Sequence, residues 1–394
     1  MAITCPACNA QTMRSFFKVP SVPTNSCLLF ETAEEAASYP CGEVDLGFCD
    51  NCGFISNMAF DEKLTEYSGR YEETQGYSGT FNRWHEALAK RLIDRHDLRG
   101  KRVIEIGCGK GEFLELLAEH GDVNGVGFDP GFHAGRLESE AAKKLEFVTD
   151  FYSEKYVDYS ADFVCCKMTL EHIHSTEAFL GTVRRAIGDD LDTIVFFQIP
   201  EAGRIVEDCA FEDIYYEHCS YFTPGSVARL FRKTGFEVLD VDTEYDDQYL
   251  TIEAKPLAPS AKADCTPLPK EESVQVLAEL VNSFPERCNA ELDEWRGKLA
   301  DLKAKNAKVV LWGSGSKAVA FLTTLDPEGF VEYCVDINPR RHDHYMPKTA
   351  QRIVGPDFLK EYQPDTVIIM NRIYTDEITQ DLNEMGLNPT IHAL

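Results

Sequence analysis

Basic residues are scarce in this sequence. Its 39 lysines and arginines face 66 aspartates and glutamates over 394 residues, giving a net charge of −27 at pH 7. Gripping a phosphate backbone relies on clustered Lys and Arg, so the shortage argues against a nucleic-acid partner. A few local cations would still suffice for one small anionic substrate, and the acid excess itself suits a well-solvated surface. Long apolar runs are missing too. None approaches the roughly 20 residues that a membrane helix needs, so no membrane partner is expected. Cys5-Pro6-Ala7-Cys8 stands where a basic, apolar leader would be, and the expected location is cytoplasmic. Two phosphate-binding patterns are also absent from the glycine-rich stretch after Val103: neither Gly-x-x-x-x-Gly-Lys-Ser/Thr nor Gly-x-Gly-x-x-Gly fits it.

What is present allows an ample core. Hydrophobic residues make up 44% of a chain long enough for two or three domains. The 14 cysteines are spread through a large chain, which favours metal ligation and free thiols over a disulfide framework. Residues 1–66 carry Cys5-x-x-Cys8 and Cys49-x-x-Cys52, whose four thiolates can hold one tetrahedral zinc with no position left open for chemistry. Cys27 and Cys41 lie in the intervening loop of 40 residues and could compete as ligands.

Residues 67–255 read as an α/β domain. Val103-Ile104-Glu105-Ile106 is a buried strand that ends at an acid, and Gly107, Gly109 and Gly111 follow at alternate positions before an amphipathic helix. Asp129 closes the next strand 22 residues after Gly107, the spacing at which an acid accepts hydrogen bonds from ribose hydroxyls. Further strands are expected at 145–148, 162–166, 193–199, 237–242 and 249–254, alternating with helices around a parallel sheet. The Glu-x-Gly-x-Gly-x-Gly run resembles the first motif of class I S-adenosylmethionine methyltransferases. That resemblance implies that Glu105, Gly107, Gly109, Gly111 and Asp129 hold the donor's amino-acid tail and ribose. It also implies an adenine cradle at Asp150 and Phe151, and a loop from Lys167 through Met168 to His172 facing the sulfonium. Asp150 is either an acceptor for the adenine amino group or a turn residue.

A polar, aromatic connector over residues 67–84 (Tyr67-Ser68-Gly69-Arg70-Tyr71, then Tyr77-Ser78-Gly79-Thr80-Phe81) is either a lid or a surface loop. Residues 256–305 read as a linker and a long helix packed across a domain seam. Residues 306–394 contain a second strand–turn–helix at Gly313-Ser314-Gly315-Ser316, with later strands ending at Asp336 and Asn371, so a small Rossmann-like domain is expected.

Tyr215-Tyr216-Glu217-His218 lies just past the fifth strand of the central domain and concentrates proton-transfer groups. With the cysteine pairs, the loop ending Leu170-Glu171-His172, and Val335-Asp336-Ile337-Asn338-Pro339, it makes nearly the whole chain similar to the sugar C-methyltransferases of deoxysugar biosynthesis. The resemblance implies a three-part enzyme: a zinc-binding N-terminal domain, a central S-adenosylmethionine domain, and a C-terminal Rossmann-like domain. It also implies His218 as general base with Tyr215 and Glu217 as partners, His172 supporting the acceptor or enolate, and Tyr71 closing over the substrate. The family's acceptor is a nucleotide-linked 4-keto-deoxysugar, methylated at carbon 3. One departure stands out, because the family's Gly-Gly-Ser-Leu-Arg run is replaced by Asp246-Asp247-Gln248-Tyr249-Leu250-Thr251. The other readings are an O- or N-methyltransferase of another small metabolite, a zinc-ribbon RNA methyltransferase, and a donor-binding scaffold without turnover. The chain is expected to act on a small molecule as a monomer or homodimer.

Overall fold

The computed structural model describes residues 3–65, 70–137, 139–326 and 328–394. The Tyr67-Ser68-Gly69 part of the connector lies outside the described residues. The described residues form three sheets. In the first, β1 (Met13–Pro23) pairs antiparallel with β2 (Cys41–Cys49), and β2 with β3 (Ile55–Asn57). Between β1 and β2 lies α1 (Ala33–Ser38), whose Thr32 cap accepts from the Glu35 amide.

The central sheet opens after α2 (Gly79–His96), which buries Phe81, His85, Leu88, Ala89, Leu92 and Ile93 on one face. Then come β4 (Arg102–Ile106), α3 (Glu112–Gly121), β5 (Asn124–Phe128), β6 (Glu146–Val148), β7 (Phe163–Lys167), α4 (Thr176–Ile187) and β8 (Ile194–Pro200). The chain continues through α5 (Ala202–Asp208), β9 (Ser220–Tyr221), α6 (Pro224–Lys233), β10 (Phe236–Glu244) and β11 (Tyr249–Pro256). The spatial order is β10-β11-β8-β7-β4-β5-β6, parallel from β8 to β6 with an antiparallel hairpin at the far edge. Because β4 pairs with both β5 and β7, the chain leaves the sheet in opposite directions on either side of it. That topology opens a crevice at the carboxyl ends of these strands.

β9 departs from the sequence reading. Ser220 and Tyr221, just past the Tyr215–His218 segment and not among the expected strands, pair with β3 and complete the N-terminal sheet. Helix α7 (Val274–Ala304) buries Leu277, Val281, Phe284, Cys288, Leu292, Trp295 and Leu299. This stripe joins one core with Val44 and Phe48 of β2 and with Leu311 and Phe321 of the C-terminal part, as expected of a helix laid across a seam. The last sheet contains β12 (Val309–Trp312), followed by α8 (Ser316–Leu325), then β13 (Tyr333–Val335), β14 (Arg352–Val354), β15 (Thr366–Ile369) and β16 (Thr390–Ala393). Its order is β14-β13-β12-β15-β16, all parallel. Among the described residues, no helix is long and apolar enough to cross a membrane.

Candidate active site

The turn after β4 is shaped by close approach. Gly107 has φ +70°, and a Cβ there would stand 2.0 Å from Thr169 Oγ1 in the loop after β7. Gly111, with φ +82°, would place one 2.8 Å from Leu137 and Phe147. Only glycine lets these strands and loops meet so closely. Gly109 lies between them with φ +54°, and its amide donates to Asp129 Oδ2 at 2.9 Å. The Gly131 amide donates to Asp129 Oδ1 at 2.7 Å, and burial raises this carboxyl above its usual range. A carboxylate has about four lone-pair positions, so Asp129 retains capacity for hydroxyl donors. The side-chain-free turn and this acid fit the ribose and amino-acid tail of S-adenosylmethionine.

Glu105 is buried beneath that turn. Burial pushes its carboxyl up to about 8 against the pull of the Lys167 ammonium, and Oε2 has no partner among the described residues. Lys167 Nζ lies 3.1 Å from His85 Nε2 and over the Phe113 ring at 4.3 Å, with burial lowering its pKa to about 8. His85 is absent from the sequence reading, which includes Lys167 only as the start of the loop facing the sulfonium. The available signal was a lysine ending the otherwise apolar Phe163–Cys166 run. Asp150 accepts from Lys155 at 2.8 Å, from the Tyr156 hydroxyl at 2.6 Å and from the Phe151 amide at 2.9 Å. The Lys155 and Tyr156 bonds draw it down to about 2, and Phe151 is exposed. Met168 has φ +48°, and its sulfur accepts from Gln198 Nε2 at 3.8 Å.

Beside Met168 a cleft of about 280 Å³ runs between the central and C-terminal sheets, with Tyr215, Arg204, Asp213, Lys317 and Asn338 among its walls. His218, 5% exposed, packs behind Tyr215 with ring centroids 4.2 Å apart and meets His172 edge-on at 4.8 Å. Burial holds His218 well below the usual histidine range and His172 at about 4, so both rings are neutral near pH 7. His172 Nδ1 lies 3.0 Å from the Glu217 carbonyl oxygen. That nitrogen therefore carries the proton of the neutral ring. Backbone contacts fix the pairing: the Cys219 amide donates to the Glu171 carbonyl at 2.9 Å, and the Asn57 amide to that of Cys219 at 3.0 Å.

Glu217 does not serve His218 as expected. Its carboxylate accepts from the Ser26 amide at 2.8 Å, the Ser26 hydroxyl at 2.7 Å and the Tyr71 hydroxyl at 2.9 Å. It thus ties the N-terminal loop and the connector to the cleft wall, and Ser26 Oγ reaches Ser316 Oγ at the start of α8 at 2.6 Å. Glu171, two residues after Thr169, is buried with neither oxygen bonded among the described residues.

Cys5, Cys8, Cys49 and Cys52 converge with all four sulfurs within 4.8 Å of one another. Cys5–Cys52 is 3.8 Å and Cys8–Cys49 is 3.6 Å. Four sulfurs about 2.3 Å from one zinc sit roughly 3.8 Å apart at tetrahedral angles, so the set fits that ion. Cys27 and Cys41 lie outside it, facing Ser316 and the Tyr39 carbonyl.

Comparison with known proteins agrees with this architecture. A family profile described as a methyltransferase domain matches residues 80–241, and one described as a C-methyltransferase C-terminal domain matches residues 258–388. The C-methyltransferase NovU of Streptomyces niveus is 24% identical over 395 aligned residues, spanning 96% of this chain and 92% of that protein. The ubiquinone biosynthesis O-methyltransferase of Neisseria meningitidis serogroup C (strain 053442) is 27% identical over 201 residues, 45% of this chain and 82% of its own. Among solved structures, the 1,6-didemethyltoxoflavin-N1-methyltransferase of Burkholderia thailandensis, with bound 1,6-didemethyltoxoflavin and S-adenosylhomocysteine, covers 46% of this chain and 83% of its own. Its identity is 17% and its TM-score 0.34.

Proposed function

The chain is an S-adenosylmethionine-dependent methyltransferase of a small molecule, with a C-methyltransferase C-terminal domain, and on that premise we propose that it methylates a carbon next to a ketone in a nucleotide-activated 4-keto-deoxysugar. The carrying observation is a neutral, buried imidazole, His218, packed behind Tyr215 on the wall of a cleft that also meets the Met168 loop. The donor supplies an electrophilic methyl group, held by the Gly107–Gly111 turn and Asp129.

Carbon is a poor nucleophile until a proton leaves the position next to the carbonyl. His218 takes that proton on a ring nitrogen, and the C–H electron pair passes into the enolate. Tyr215 stays protonated, because burial raises its pKa well above the usual range. Its hydroxyl can therefore donate to the enolate oxygen. His172 has its Nδ1–H committed to the Glu217 carbonyl, so that N–H is not available to donate to an enolate. Glu217 and Tyr71 brace the cleft wall. Arg204 and Lys317, both paired with Asp213, stand beside the amide-rich start of α8, where the diphosphate of an activated sugar would replace the Asp213 contacts. The test is incubation with methyl-labelled donor and a panel of 4-keto-deoxysugar nucleotides, with product NMR locating the label on carbon. A label on oxygen or nitrogen refutes the carbon assignment. Full activity in both His218→Ala and Tyr215→Phe refutes the base mechanism.

The Cys5, Cys8, Cys49 and Cys52 set we assign to one structural zinc. Elemental analysis should find about one zinc per chain, lost with melting of the N-terminal sheet in Cys49→Ser. Retained zinc in that variant would overturn the assignment.

A further inference from the structure

We propose that Glu171 is the positioning residue for His218: its carboxylate accepts a hydrogen bond from one imidazole nitrogen and leaves the other nitrogen's lone pair for the acceptor. This rests on His218 being the base. The acid that neighbours the imidazole in sequence is already used, since both Glu217 oxygens serve Ser26 and Tyr71. Asp213 serves Arg204 and Lys317. Glu171 is 1% exposed, and neither of its oxygens has a partner among the described residues. A carboxyl so placed lacks the hydrogen bonds that buried polar groups nearly always make. One Glu171 oxygen and one ring nitrogen from each of His172 and His218 lie within 4.8 Å of one another.

Of those two rings, His172 has its N–H committed to the Glu217 carbonyl, so His218 is the available donor. The juxtaposition is held by the backbone, because the residue after His218 donates its amide to the carbonyl of Glu171 itself. Titratable neighbours do not compete. Cys166 and Cys219 flank Glu171, His172, Tyr215 and Tyr221 surround His218, and none of these is a cation near neutral pH. Burial alone drives Glu171 up to about 8, and an imidazole N–H is the donor that would bring it back. Apo hydrogen bonds at such sites are often long and tighten when substrate arrives. In the reaction the acceptor's C–H bond breaks, its electron pair enters the enolate, and the proton moves to the free nitrogen of His218. The imidazolium then lies beside the Glu171 carboxylate, which supplies its countercharge.

The test uses full-length, zinc-replete protein bound to S-adenosylhomocysteine, with 15N-labelled histidine assigned through His218→Asn. Wild type should show one neutral tautomer at His218. Glu171→Gln, whose amide can donate to that ring, should show the other tautomer or a mixture, and Glu171→Asp should restore the first. With an acceptor from the panel above, kcat in Glu171→Gln should fall roughly 10²- to 10⁴-fold with little change in KM, and Glu171→Asp should recover part of it. S-adenosylhomocysteine affinity should be unchanged in both variants, which separates this role from a general packing role. An unchanged tautomer with unchanged kcat in Glu171→Gln overturns the inference while His218→Asn remains inactive. An active His218→Asn sinks the base reading instead. A second metal equivalent in wild type that disappears in His218→Asn also overturns the inference, because the three groups would then be ligands rather than a proton pair.

Discussion

The molecule builds the same strand–turn–helix twice and finishes it differently. After β4 the turn has three glycines at positive φ, and Asp129 follows Gly107 by 22 residues. After β12 only Gly313 has a positive φ, and Asp336 follows Ser314 by 22 residues. The acids have opposite fates. Asp129 accepts from two backbone amides and has spare lone pairs. Asp336 accepts from the Ser314 amide at 3.0 Å, the Ser314 hydroxyl at 2.5 Å and the Asn338 amide at 2.9 Å, with Arg341 3.5 Å away. Arg341 also donates to the Ser314 carbonyl at 2.6 Å and to that of Glu72. The first turn leaves its acid open to a ligand's hydroxyls. The second spends its acid on its own chain and uses the rigidity to present the start of α8 to the cleft. A glycine-rich turn followed by an acid is thus a scaffold, and the partners of the acid decide whether it is also a binding site.

The sharpest way to break this comparison is to add one methyl group to each turn. In Gly107→Ala the new carbon would meet Thr169 Oγ1 at 2.0 Å on a left-handed backbone. A strain of about 3 kcal/mol there should weaken S-adenosylhomocysteine binding at least 10²-fold by calorimetry. Gly315→Ala meets nothing within 4 Å at φ −82°, and its affinity should match wild type within about twofold. Equal losses would show that the turns are alike. Next in size, Asp129→Asn should weaken the same binding about 10- to 100-fold, while Asp336→Asn should leave it intact and instead lower unfolding stability by about 1–3 kcal/mol.

A third contrast is acid sensitivity. His172 in the central half is held at about 4 by burial, below the roughly 6.5 of an unfolded histidine. A depressed folded pKa gives stability that is present above pH 6.5 and lost as pH falls toward 4. Wild type should therefore lose up to about 3 kcal/mol more than His172→Gln across that window, measured by urea melts. Acid release of zinc affects both proteins alike and cancels in the difference.

Local pattern reveals the first turn and hides what surrounds it. The apolar run into Glu105, the alternate glycines, the spacing to Asp129, the two cysteine pairs and the stripe of α7 are all short-range regularities, and each appears in the structure where the sequence puts it. β14 and β16 are not among the expected strands: Arg352-Ile353-Val354 and Thr390-Ile391-His392-Ala393 each mix polar with apolar residues and lack the unbroken apolar run of β15. The site fails locally for a different reason. Glu217 and His218 are adjacent in sequence, so they read as a pair. Yet Glu217 reaches back 191 residues to Ser26, and the carboxyl near His218 comes from Glu171, on a loop whose carbonyl accepts from the Cys219 amide just before β9. Lys167 is legible only in part: the lysine closing an apolar run stands out, but His85, 3.1 Å from its Nζ, lies 82 residues earlier on α2.

The smallest test asks whether the two halves of the cleft are coupled. Gln248, in the segment where the sugar enzymes carry a small basic element, donates to Asn371 Oδ1 at 3.0 Å and accepts from its Nδ2 at 2.8 Å. Asn371 follows β15, the C-terminal counterpart of the strand end that carries Met168 after β7. A reciprocal amide pair that is largely shielded from water should contribute about 1 kcal/mol per bond, and removing either partner strands the other. Gln248→Ala and Asn371→Ala should therefore each lower unfolding stability by about 1–2 kcal/mol, and the double variant should lose little beyond either single one. Strict additivity would mean that the two amides act separately and that this pair does not couple the central and C-terminal halves. Non-additivity, with S-adenosylhomocysteine affinity unchanged, would place the coupling in the cleft wall that Gln248 and Asn371 share.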